Sequence, residues 1–146
     1  MILVDDGLAV RALAGQASAT WPDEVPSVAW AFYVRLLTVL RRNIRQRSEI
    51  ARPGKISRLA TDEIIRYASA PPPEVLQVVD PRPYAALAVD VLRRHSPGIN
   101  RLAADFLAAA IHHQTPLHVI EGNVGRNWQA LCDTEGVELR IMPADE

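Results

Sequence analysis

Three side-chain acids carry the chemistry worth asking about in this chain. The apolar run Ile2-Leu3-Val4 stops at Asp5, and the run His118-Val119-Ile120 stops at Glu121, with Asn123 just beyond. Asp105 stands inside an apolar stretch rich in Ala and Leu. On a helix, positions three and four apart share a face, so Asp105 lies with Leu102, Ala108 and Ala109. A carboxylate on such a face is costly unless it is paired, hydrogen-bonded or bound to a metal. Asp105 is therefore a helix-start carboxylate, a group turned to solvent beside Arg101, or a site carboxylate, and its own helix does not decide among them.

In open parallel α/β sheets, ligands bind outside the carboxyl ends of the strands. Asp5 and Glu121 would both lie there. If the Asp105 helix brings its N-terminal half to the same edge, three oxygen-bearing side chains meet. Clustered carboxylates repel and raise one another's pKa. A hard cation relieves that repulsion, and Mg²⁺ or Mn²⁺ suits oxygen ligands. A site of this kind positions water and stabilises charge on a phosphodiester. The competing reading is that acids at strand ends cap the loops and helices that follow.

The elements that must position these groups follow from the apolar pattern. Strands are expected near residues 2–4, 75–79, 117–120 and 137–142. The short β-branched runs suit strands buried on both faces. Between them, Leu8–Ala14 reads as a short helix or turn ended by Gly15. Pro26–Ser27 can open a helix continuing through Val28–Arg42, with Val28, Phe32, Leu36, Val39 and Leu40 at helical spacing. Further helices are expected over Asp62–Ala70, capped by Ser57 or Thr61, and from Pro81 through Tyr84–His95. The Asp105 helix and a last helix after Arg126-Asn127-Trp128 complete the set. Alternation of this kind predicts an α/β fold, a three-layer α/β/α sandwich around a mostly parallel sheet.

The 146 residues suit a single domain, 1–146, with a real core. A formal net charge of −1 gives no global attraction to nucleic acid or membrane, so any such attraction must be local. The single cysteine, Cys132, allows no intrachain disulfide, which agrees with a reducing cytoplasm. No signal peptide is visible at the start and no apolar run is long enough to span a bilayer, so no membrane partner is expected.

Arg41, Arg42, Arg45, Arg47, Arg52 and Lys55 form the densest basic run and could contact RNA phosphates. No stacking aromatics interleave with them, which favours a solvated face. His112 and His113 end a helix, where imidazolium would suit the dipole, and their adjacency argues against a shared metal. Arg126 could meet a substrate phosphate, although a surface arginine is the default. Trp30, Phe32 and Tyr33 fit core or a dimer surface. Cys132 reads as a buried small hydrophobe.

The chain as a whole resembles the PIN domain family. MILVDDGLAVRALAG is similar to the family's first strand and acid, and VPSVAWAFYVRLLTVLRR to its second helix. PEVLQVVDP with YAALAVDVLRRH resembles the middle strand and helix. LAADFLAAAIHHQTPLHVIEGN, the most specific stretch, resembles the family's acid, Ala/Leu-rich helix, turn, strand and acidic loop. GVELRIM resembles the closing strand. The likeness runs along nearly the whole chain and is nearest to the small bacterial VapC-type toxins.

That resemblance implies a metal-dependent ribonuclease with acids around Mg²⁺ or Mn²⁺. It also implies a toxin–antitoxin pair in which a cognate antitoxin holds the enzyme inactive, and a homodimer. Asp5 matches the first acid, Asp105 the acid of the later helix, and Asn123 or Glu121 the last position. The chain departs from the pattern in its second helix. No acid stands between Val28 and Arg42, where the family carries a glutamate near Ala31–Phe32, and Glu24 lies too early. Asp6 replaces a small hydroxyl residue and could either supply a ligand or cap the next turn. The alternative is a PIN-like module with impaired chemistry that binds a protein partner or RNA. A receiver-like domain using Asp5 and Asp6 would need a lysine after a late strand, yet Lys55 is the chain's only lysine.

Overall fold

A computed structural model describes residues 1–15, 20–41, 61–122 and 127–143. Strand β1, Ile2–Val4, leads into helix α1, Asp6–Leu13. Strand β2, Pro26–Val28, is followed by helix α2, Trp30–Leu40, then helix α3, Thr61–Ser69. Strand β3, Gln77–Val78, and a 3-10 turn at Arg82–Tyr84 lead to helix α4, Ala85–His95. Helix α5, Arg101–His113, strand β4, Leu117–Ile120, helix α6, Trp128–Glu135, and strand β5, Leu139–Met142, complete the order.

The five strands form one sheet in the order β3-β2-β1-β4-β5, every neighbouring pair parallel. Helices flank it, as expected for an α/β/α sandwich. The reason lies in the strands themselves. Leu3, Val4, Val28, Leu117 and Ile120 have no exposed surface, so both faces of the central strands must be covered. From β1 the chain first builds outward through β2 to β3, then returns to the other side of β1 with β4. The direction of winding therefore reverses between β1 and β4. A crevice at the carboxyl ends is expected at such a point.

Strand β2 corrects the sequence reading. Pro26–Ser27 opens a strand rather than a helix, and Val28 pairs with Val4 on one side and Val78 on the other. Proline is tolerated at the first residue of a strand, so the same residue that can start a helix here starts β2. Helix α2 begins only at Trp30, and it buries Phe32, Tyr33, Leu36 and Leu40. The expected strand at 75–79 shortens to Gln77–Val78. The N–H groups of Val75 and Leu76 turn back to the Pro72 carbonyl, although the Val79 N–H still donates to Val28 at 3.0 Å. Strand β5 likewise starts at Leu139 rather than 137.

Helix α5 packs its Ala-rich face inward, with Ala103, Ala104, Leu107, Ala108, Ala109 and Ala110 buried. Small side chains let it approach the sheet closely. Phe106 meets Phe32 of α2 edge-on at 4.7 Å and Trp128 of α6 at 5.8 Å, so one aromatic ring ties three helices together. Asn100 caps the helix by accepting from the Ala103 N–H at 2.8 Å. Its other end closes with Gln114 in the left-handed region at φ 52°. Cys132 is fully buried, and burial pushes its thiol up to about 11, which fits a small hydrophobe and not a nucleophile.

Candidate functional site

Asp5 follows the last residue of β1, and its carboxylate joins two elements. Oδ1 accepts the Leu8 N–H of α1 at 2.9 Å, which makes Asp5 the N-cap of that helix. Oδ2 accepts the Ile120 N–H at the end of β4 at 3.0 Å. The backbone adds a third link, since the Asp5 N–H donates to the His118 carbonyl at 3.1 Å. Asp5 is 1% exposed. It thus sits buried where β1 and β4 adjoin, at the point where the winding reverses. Glu121, the next residue after β4, is exposed beside it, and its N–H bonds the Met142 carbonyl of β5.

The cap of α1 is therefore Asp5 and not Asp6, the alternative held open for that turn. Asp6 instead turns towards α2, where its Oδ2 lies 3.4 Å from the Arg35 Nε. Burial raises the Asp6 pKa, and the Arg35 guanidinium and the Gly7 N–H oppose that rise. Half of the Arg35 side chain is exposed while Asp6 is buried, so the pair bridges solvent and interior.

Asp105 is half-buried and addresses the same helix. Its Oδ2 accepts the Ala31 N–H at 3.0 Å. Helix α2 has Ala29 at its N-cap position, with no side-chain cap of its own. Asp105 supplies that cap from another helix, and its charge faces the positive end of the α2 dipole. The Tyr84 hydroxyl hydrogen-bonds the same carboxylate and accepts the Trp30 N–H at 3.4 Å. Burial raises the Asp105 pKa, with the Ala31 N–H and the Tyr84 hydroxyl pulling the other way. Burial and the Asp105 charge push Tyr84 up to about 12, so it remains a neutral donor.

Ala31 and Arg35 lie one turn apart on one face of α2, about 6 Å along its axis. Asp105 and Asp6 therefore meet α2 at adjacent places. Asp5, Asp6, Asp105 and Glu121 all belong to the carboxyl edge of the sheet. Asn123 lies outside the described residues, as do Arg126, Ser57 and the basic run beyond Arg41. Among the described residues, no three His, Cys, Asp or Glu side chains group closely enough to hold a metal ion together.

Sequence reasoning missed Arg35, Tyr84 and the trans cap. Their only trace was the absence of Ser, Thr, Asp or Asn at position 29, which leaves α2 in need of a foreign acceptor. His112 and His113 contact each other and Tyr84, with ring centroids between 4.8 and 6.5 Å apart. Burial lowers the His113 pKa, so its expected role as a helix-end imidazolium is not favoured.

Two measurable consequences follow from this geometry. Tyr84→Phe removes the hydroxyl shared by Trp30 and Asp105. The expected cost is about 1 to 2 kcal/mol, read by urea denaturation, because a part-buried donor and acceptor lose their partner. The second is a pH effect. Asp6 and Asp105 have folded-state pKa values above their unfolded ones. Their contribution is full below the unfolded pKa and is lost as pH rises through the folded values. Against it, Glu135 is held low by Arg94 and His95 despite its burial, and loses its stabilisation as pH falls. The Asp6→Asn/Asp105→Asn double variant should remove the first component. Its stability should then decline more steeply than that of the parent between about pH 6 and about pH 4. Parallel curves would show that the two carboxyls titrate normally.

No protein-family model matches the chain, and no curated protein matches it.

Proposed function

We propose that the chain is a divergent PIN-like nuclease that hydrolyses phosphodiester bonds in RNA with Mg²⁺ or Mn²⁺ at the acid-rich carboxyl edge. The observation that carries this reading is the position of Asp5. A carboxylate buried at the point where an α/β sheet reverses its winding, with Asp6 and Asp105 in adjoining elements, stands where such folds bind ligands.

The donor set does not fit a closed protein cage, since no three-residue group stands among the described residues. The reading therefore calls for a strongly hydrated ion, because Mg²⁺ commonly keeps several waters and takes one or two carboxylates plus substrate phosphate. Asp5 and Asp105 would hold such an ion. When bound, it would supply charge for the phosphodiester and an activated water. The chain's own residues do the positioning. The Leu8 and Ile120 N–H groups fix the Asp5 carboxylate, and the Ala31 N–H and Tyr84 hydroxyl fix Asp105. Arg35, half exposed beside Asp6, is suited to a phosphate oxygen of the substrate.

Within this proposal the chain is the toxin of a toxin–antitoxin pair, with a cognate antitoxin as partner and a homodimer as its assembled form. Trp30 is 45% and Val34 42% exposed, one turn apart on α2, which supports an apolar protein-facing surface there. No described helix is long and apolar enough to cross a membrane. RNA cleavage that requires Mg²⁺ or Mn²⁺ tests the enzyme reading, and full cleavage in chelator overturns it.

A second reading is favoured by a specific observation. Helix α2 carries Arg35 and no acid on the face that meets Asp6 and Asp105. A cation there reduces the negative field a metal needs. The module would then bind RNA or a protein partner without cutting, and a stable complex with no cleavage distinguishes it.

A further inference from the structure

The opposite end of the sheet carries a separate feature. A cavity of ≈ 730 Å³ opens beside Pro26, the first residue of β2, and beside the last turn of α1 at Ala12–Gly15. Its size falls within the range of small-molecule sites. Asp5 and Asp105 take no part in it.

The walls are apolar and aromatic. Trp21 and Tyr67 supply rings, and Pro22, Pro72 and Val75 add rigid hydrocarbon. Trp21 is held by an edge-on contact with the buried His118 ring at 5.6 Å, so it does not depend on a ligand for its place. Tyr67 already carries one cation near its ring, the Arg66 guanidinium at 5.7 Å from the centroid.

The polar groups of the walls share one sign. Asp23, Glu24 and Glu74 line the cavity, and among the described residues that line it none is basic. The last turn of α1 also lines it, and a helix C-terminus presents carbonyl oxygens with partial negative charge. Glu24 binds the Met1 ammonium at 2.7 Å, which leaves Asp23 and Glu74 as the acids to test. An anionic ligand would face the carboxylates of Asp23 and Glu74. A neutral apolar one would gain nothing from the acids. Aromatic faces, carboxylates and helix carbonyls together select a cation with hydrocarbon attached.

We propose that this cavity binds a small organic cation, an ammonium or guanidinium group on an apolar chain. The inference is independent of the nuclease reading, since it uses none of the residues at the carboxyl edge.

Titration calorimetry on the whole chain tests it, with spermidine and agmatine as probes. 1,6-Hexanediol serves as a neutral control of similar carbon length, and citrate as an anion. The expected result is saturable binding of at least one of the amines at one site, weakened by salt and absent for both controls. Asp23→Asn/Glu74→Gln should weaken it by about tenfold or more, in line with the loss of two partly screened charges. Both residues are exposed, so the variant should keep its fold. Trp21→Phe should remove the amine-induced change in tryptophan emission, and Asp105→Asn should leave binding unchanged. Absence of saturable binding by both amines, or equal affinity in the Asp23→Asn/Glu74→Gln variant, would overturn the proposal.

Discussion

Asp5→Ala is expected to lower the unfolding free energy by about 3 to 5 kcal/mol. The substitution deletes both carboxylate oxygens at once. The Leu8 N–H then loses its cap, and the buried Ile120 N–H loses its partner at the end of β4. A buried backbone donor left without an acceptor costs about 1 to 3 kcal/mol. The N-cap bond to Leu8 and the bond to Ile120 share the Asp5 side chain, so the two costs are coupled and do not simply add. Domains of this size are stable by only about 5 to 15 kcal/mol, so the variant should approach the threshold of folding. Asp5→Asn keeps one acceptor oxygen and should cost about half as much. Urea denaturation followed by far-UV circular dichroism reads both. A change below about 1 kcal/mol for Asp5→Ala would mean that these bonds do not hold β1, α1 and β4 together.

This result bears on function as well as folding. A residue that is both a fold anchor and a candidate ligand cannot be tested cleanly by removal. Loss of activity in Asp5→Ala would follow from unfolding alone. Asp105 offers the better probe, since it is only half-buried and works on the end of one helix.

Some of this architecture was legible in the sequence and some was not, for physical reasons. Ile2–Val4 and Leu117–Ile120 announce themselves because strands covered on both faces must be apolar throughout. Asp5 and Glu121 then fall at strand ends by simple counting. The Ala-rich pattern around Asp105 likewise fixes α5, since few other structures use so many small residues at helical spacing. Strand β2 was hidden because three residues give no periodicity, and its proline reads equally well as a helix start. The partners of the acids were hidden for a different reason. Ala31 lies 74 residues from Asp105, and Ile120 lies 115 from Asp5. Nothing local encodes such pairs. The competing reading, that acids at strand ends cap helices, describes what Asp5 does in the fold. The metal-ligand reading proposes a further use of the same oxygens. Both uses suit one carboxylate, because each oxygen can accept more than one donor.

The second large effect concerns Asp105. Within the nuclease proposal, Asp105→Asn retains an acceptor for the Ala31 N–H and removes the negative charge. The fold should survive, with a cost of about 1 kcal/mol from the altered cap. RNA cleavage should fall by at least about a hundredfold, the scale on which removing a charged ligand or acid–base group acts. Arg35→Ala provides an internal contrast. It should weaken substrate binding while leaving the metal requirement in place, because its fork addresses phosphate and not the ion.

The most direct measurement is therefore cleavage of an end-labelled single-stranded RNA by the parent chain and by Asp105→Asn. Each is assayed in Mn²⁺, in Mg²⁺ and in excess chelator, with circular dichroism recorded on the same samples. The account predicts cleavage by the parent only when the metal is present, and its loss in the folded variant. Cleavage that persists in chelator, equal cleavage by Asp105→Asn, or no cleavage by the parent with either metal would contradict it.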